Sequence, residues 1–123
     1  MTDTNEQQRG VRLYVFGNAT GPRLPRLKDL GVTSEDDVVQ PEQPGPDMKG
    51  ASSFADTEKA RELGLTGPYH ALASEVELPE GLGVFEDDPS TTHHTIYAVR
   101  PMTYREFCEK FASIAWERKV GRL

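Results

Sequence analysis

The sequence predicts an α+β fold, in which several short strands, two or three helices and long loops share one core. Three observations predict it. Two runs, residues 11–16 and 91–99, are dense in β-branched and aromatic residues, which suit a pleated, half-buried backbone. One long stretch beginning at Thr103 carries apolar residues at helical spacing. Nine prolines and eleven glycines in 123 residues break the chain too often for a helical bundle, and strands do not alternate regularly with helices as in a βαβ protein.

Met1 to Gly10 is polar and reads as a flexible tail, leaving residues 11–123 as a single domain. A chain of this length buries about two thirds of its unfolded surface. Val11 to Phe16 is the first strand, stopped by Gly17-Asn18 and followed by a Gly21-Pro22 turn. Leu24 to Leu30 has room for a short helix ending at Gly31, and Val38-Val39 is a minimal strand. Gln40 to Pro46 is an extended loop, because proline fixes φ and lacks a donor. The small residues from Gly50 to Phe54 lead into a short helix, capped by Asp56 and stopped at Gly64. Ala73 to Leu78 alternates weakly. Pro79-Glu80-Gly81 is a turn, Leu82 to Phe85 a short strand, and Glu86 to Pro89 an acidic loop. Thr91 to Val99 is the strongest strand. Thr103 to Lys119 is the clearest helix: Thr103 and Glu106 have capping-box spacing, and Tyr104, Phe107, Cys108, Phe111 and Ile114 share one apolar face with Trp116 beside it.

A formal net charge of -6 lacks the basic footprint of nonspecific nucleic-acid binding or of attachment to an anionic membrane. The single cysteine, Cys108, allows no intramolecular disulfide, suits a reducing cytoplasm and reads as a core residue. The N-terminus has no apolar signal segment, so export is expected to need no cleavable signal. No run approaches the roughly 20 apolar residues of a membrane span. The phosphate-cradling loop, the dinucleotide glycine fingerprint, the zinc-protease helix and paired-cysteine zinc spacing are all missing, so no metal is expected.

Four constellations could carry chemistry. His93 and His94 are neighbours in a strand, so they point to opposite faces and cannot share a metal. One of them faces inward, either as a satisfied core histidine or as a group that holds ribose hydroxyls, since imidazole can donate and accept at once. Ser52-Ser53 is either a turn former or a pair of hydroxyls where small residues let a sugar approach. Tyr69-His70, after the Gly67-Pro68 turn, is either a packing anchor or the wall of a pocket. Arg23, Arg26 and Lys28 form a basic cluster, either a solvated face or a phosphate clamp.

The stretch Thr92-His93-His94-Thr95-Ile96, followed by Pro101-Met102 and a helix, resembles a segment near the C-terminus of the small type VI-secreted cytotoxin family of Pseudomonas. Gly50 to Phe54 resembles that family's Gly-Thr-Ser-Val-Phe segment, Leu78 to Leu82 its proline-rich turn before a short strand, and Leu13-Tyr14 the start of its first core strand. The segments occur in the same order. The resemblance implies an ADP-ribosyltransferase-like core of two small, mainly antiparallel sheets with flanking helices, around a cleft that takes NAD. It implies a cytoplasm-acting toxin with an unknown cellular target and a cognate immunity protein as partner. It further implies His93 and Ser52 as catalytic residues, and Ser53, Tyr69, Phe54, Arg23 and Arg26 as NAD-binding residues, an aromatic ring stacking and an arginine clamping phosphate. Ala51 stands where the family has threonine and Val15 where it has arginine, and no glutamate occupies the usual late-strand position. These departures leave two other readings open: a toxin of the same fold that blocks its target without transfer, and a non-toxic binding module.

Overall fold

Along β1 (Leu13–Asn18) Leu13 and Val15 are buried while Tyr14 and Phe16 lie on the other face, the period of two expected of a strand. The computed structural model describes residues 12–122 except 19–20, 46–47, 66 and 75. The tail expected over residues 1–10, and Val11, lie outside the described residues. The remaining strands are β2 (Gly21–Pro22), β3 (Val38–Val39), β4 (Ala51–Phe54), β5 (Pro68–Leu72), β6 (Leu82–Asp88), β7 (His93–Ala98), β8 (Met102–Thr103) and β9 (Glu117–Arg122). Two helices, α1 (Thr57–Glu62) and α2 (Tyr104–Ser113), and a 3-10 turn over Leu27–Leu30 complete the elements. The fold is α+β and mostly β: one antiparallel sheet in the order β6-β7-β4-β1-β5-β9, with β2 on the end of β1, and a second antiparallel pair, β3-β8.

The large sheet has a weak seam. β4 pairs with β7 from Ala51↔Ile96 to Phe54↔His93, and β1 pairs with β5 from Leu13↔Leu72 to Phe16↔Tyr69. β1 and β4 are joined by Tyr14↔Phe54 alone. Behind the sheet, Leu13, Val15, Leu72 and Ile96 pack with Phe107, Phe111 and Ile114 into one core.

Local chemistry sets the boundaries. Gly31 adopts φ 72 and ends the 3-10 turn, its N–H donating to the Leu27 and Lys28 carbonyls, a left-handed conformation that glycine adopts without steric cost. The Asp56 carboxylate accepts from the Glu58 N–H at 2.8 Å and starts α1. The Thr103 hydroxyl accepts from the Glu106 N–H at 3.1 Å and starts α2.

Five expectations need correction. The first strand runs on through Gly17-Asn18, because β2 folds back to pair with them. The small residues from Ala51 to Phe54 are a central strand: Ser53 is fully buried there, its hydroxyl donating to the His94 carbonyl at 3.1 Å. Tyr69-His70 is also central strand rather than loop edge, with the His70 Nε2 hydrogen-bonded to the Asn18 carbonyl at 2.7 Å. Glu86 to Asp88 continue β6 instead of forming a loop, because the turn lies beyond them at residues 89–92. The last helix stops at Ser113, not Lys119. Ile114 swings to φ -61, ψ 142, and the Trp116 indole N–H donates to the Phe111 carbonyl at 3.1 Å, satisfying one of the terminal acceptors a helix leaves open. The chain then covers the edge of β5 as β9. Cys108 is buried on α2, and burial pushes its thiol pKa up, away from the reactive thiolate.

Candidate functional site

Past the single bridge Tyr14↔Phe54 the two halves of the sheet part, and a cavity of about 380 Å³ opens between Val15 and Phe16 on β1 and Ala51 and Ser52 on β4. Phe54, Asp29, the Arg23–Arg26 segment and Leu63 and Leu65, which follow α1, also line it. A second concavity, of about 610 Å³, lies against the same segment, with Gly17, Asn18 and Tyr104 on its lining. Arg23 to Arg26 is therefore a wall shared by two neighbouring hollows. Each is within the size range of small-molecule sites.

That wall is held from three sides. The Arg23 N–H donates to the Phe16 carbonyl at 3.0 Å. The Asp29 carboxylate accepts from the Arg26 backbone N–H at 2.8 Å and from its guanidinium at 3.2 Å. The Tyr104 hydroxyl donates to the Pro25 carbonyl. Burial pushes the Tyr104 pKa up to about 12, so the phenol remains a donor at neutral pH. Burial also works to raise the Asp29 pKa, but the bonds from Arg26 outweigh it and leave that carboxyl below its usual range.

The two arginines consequently differ. Arg26 is neutralised by Asp29. The Arg23 guanidinium is exposed and has no partner among the described residues. The Ser52 side chain is likewise exposed at the cavity, without a bond to a described residue. Leu24 and Leu63 present apolar surface there, 45% and 56% exposed. Such a lining offers a flat ring somewhere to lie, a hydroxyl a partner and an anion a cation that is unpaired among the described residues, in a protein whose net charge is -6.

Phe54 links this cavity to His93. The two rings meet edge-on with centroids 5.0 Å apart, so His93 stands against the cavity wall without lining it. The His93 Nδ1 lies 2.8 Å from Asp87 Oδ1. The residue before it, Thr92, has φ 60, unusual for a β-branched residue. Thr92 is over-determined: its carbonyl accepts from the Ala55 N–H and the His94 Nδ1, and its hydroxyl from the Asp56 N–H, each at 3.0 Å. Strain of this kind costs about 1–3 kcal/mol and persists only when the surroundings impose it. Here it fixes the start of β7 against the end of β4.

The structure thus brings Ser52, Phe54, Arg23 and Arg26 to one cavity and sets His93 behind Phe54. Tyr69 does not line it. Its ring packs against Tyr14 and Phe16, at 5.4 and 5.8 Å between centroids, and so supports a lining residue. Ser53 points away from the cavity into the core. Of the histidine pair, His94 is the buried member and His93 is partly exposed. Leu24, Leu63 and Asp87 escaped the sequence reasoning. The signal for Asp87 was the turn-forming Pro89-Ser90 between it and His93, which marks a hairpin and so places the two side by side.

Among the described residues, no cluster of three or more His, Cys, Asp or Glu side chains could hold a metal ion, and no helix is long and apolar enough to cross a membrane. Comparison with protein-family models, with curated proteins and with solved structures finds no match.

Proposed function

We propose that this chain is a toxin with an ADP-ribosyltransferase-like core that takes NAD as its substrate in the cytoplasm of a target cell. In this proposal it is a type VI secretion effector, and a cognate immunity protein neutralises it in the producing cell. The observation that carries the reading is the Arg23–Arg26 wall shared by two hollows, one of them opening at the seam of the sheet beside Ser52 and Phe54. A dinucleotide has the matching form: two ring-bearing halves joined by a pyrophosphate. Arg23 supplies the cation for the pyrophosphate. Ser52 holds a ribose hydroxyl, Phe54 offers an aromatic surface and His93 stands beside it. Transfer from NAD passes through a transition state with oxocarbenium character, so groups that fix the ribose act where charge develops.

A second reading also has an observation behind it. Among the described residues Asp29 is the one carboxylate on the cavity lining, and it is committed to Arg26. A lining whose described carboxylate is already paired suits a toxin that binds and blocks its target without transfer.

Inducible expression in a bacterial cytoplasm tests toxicity. The parent is expected to arrest growth, and His93→Ala and Ser52→Ala to relieve the arrest, with transfer slowed by about 10²-fold in Ser52→Ala, the scale for loss of a positioned polar group. Normal growth with soluble parent protein would sink the toxin reading. Killing by both variants, folded and expressed as the parent is, would remove His93 and Ser52 from the site. Release of nicotinamide by the purified protein separates transfer from blocking.

A further inference from the structure

We propose that Asp87 is a positioning residue for His93: it fixes the imidazole in its Nδ1–H form and holds it against Phe54, the ring that lines the cavity where transfer takes place. The transfer role rests on the function proposed above. The tautomer does not.

Three observations converge on this one ring. The first is the pair itself. The Asp87 side chain is 7% exposed and that of His93 21%, and among the described residues Asp87 has no other hydrogen-bond partner. A buried carboxylate needs such a partner. An ionised carboxylate only accepts, so at 2.8 Å the proton of the bond belongs to His93 Nδ1. In neutral imidazole this leaves Nε2 as the acceptor. The second is the backbone of β6. Its register against β7 shifts between Glu86↔His94 and Asp88↔His93, so Asp87 is the extra residue of a β-bulge. Bulges re-aim a side chain that a regular strand would direct elsewhere. The third is Thr92, held at φ 60 on the other side of the same histidine.

In the step itself, the acceptor's heteroatom forms the new bond to the ribose carbon, the bond from that carbon to nicotinamide breaks with its electron pair leaving on nicotinamide, and the acceptor's proton passes to solvent. His93 does not touch the reacting atoms: held through Nδ1–H by Asp87, it keeps the Phe54 ring in place on the cavity wall. The other groups packed around His93 are few. Asp88 lies opposite on β6 and is kept ionised foremost by the hydrogen bond from Ser90. Phe54 faces it from β4. The Asp56 carboxylate, near the end of β4, is turned to the Glu58 N–H.

The test uses the full chain, 15N-labelled, as the parent and as Asp87→Asn and Asp87→Glu, and reads two quantities. Ring-nitrogen shifts of His93 report its tautomer, with His93→Gln identifying its signals among the three histidines. Nicotinamide release reports transfer. The parent is expected to be Nδ1–H. Asp87→Asn is expected to move a large share of the ring to Nε2–H and to slow release by up to about 10²-fold, the scale for a misplaced site geometry. Asp87→Glu restores part of both, and serves as the readout should the asparagine variant fold poorly. An Nε2–H parent, a tautomer that ignores Asp87→Asn, or undiminished release from folded Asp87→Asn overturns the proposal. A parent with the expected tautomer but no release of nicotinamide refutes the NAD function and the transfer role together, while Asp87 still holds the ring.

Discussion

Phe107→Ala is expected to be among the most damaging single truncations in this chain, costing the fold about 3–5 kcal/mol. Phe107 is fully buried on α2 and packs with Leu13, Leu72 and Ile96 behind the large sheet. Removing its ring loses the transfer energy and leaves a cavity that neighbouring strands cannot fill. For a domain with roughly 5–15 kcal/mol in total, that is about a fifth of the stability or more. The consequence reaches the site, because α2 begins at Tyr104, whose hydroxyl holds Pro25 in the wall between the two hollows. Urea unfolding checks it: the midpoint is expected to fall far below that of the parent with little change in slope. An unchanged midpoint would mean that α2 does not pack on the sheet as described.

Arg23→Glu is expected to weaken NAD binding by about 10–100-fold, since a hydrogen bond to a charged group contributes roughly 1.5–3 kcal/mol and the substitution also reverses the charge. Arg26→Ala is expected to do much less. Its guanidinium is already committed to Asp29, and little of its charge is left for a ligand. Titration calorimetry of both variants against the parent gives the comparison. Should Arg26→Ala prove the more damaging of the two, the wall carries its free charge elsewhere and the assignment of Arg23 is wrong.

Much of the fold was legible because local chemistry and long-range packing agreed. Thr103, Asp56 and Gly31 sit at the helix boundaries where capping rules place them, and Thr91 to Val99 contains β7. Failures came where tertiary contacts outweighed the local pattern. Nothing in residues 114–119 announces that a helix must end; the Trp116 indole does that by reaching the Phe111 carbonyl, and the open edge of β5 then takes the chain as a strand. Ser52-Ser53 has low strand propensity, yet its place between β1 and β7 is decided by pairing. At the site, Ser52, Phe54 and Arg23 were named from sequence, but what sets Arg23 apart from Arg26 is an ion pair that residue types alone do not reveal. Asp87 was hidden in an acidic run because only the bulge in β6 turns one of those carboxylates to His93.

The central claim is that the cavity at the sheet seam, with its arginine wall, receives NAD. Amide shifts of the 15N-labelled protein during a titration with NAD test it most directly, because they need neither a known acceptor nor a known target. The expected result is saturable movement of the amides of Phe16, Arg23, Ser52 and Phe54, all on the cavity lining. If NAD leaves those amides in place up to millimolar concentration, or moves a different face of the protein, the cavity is not an NAD site and the function proposed here is wrong.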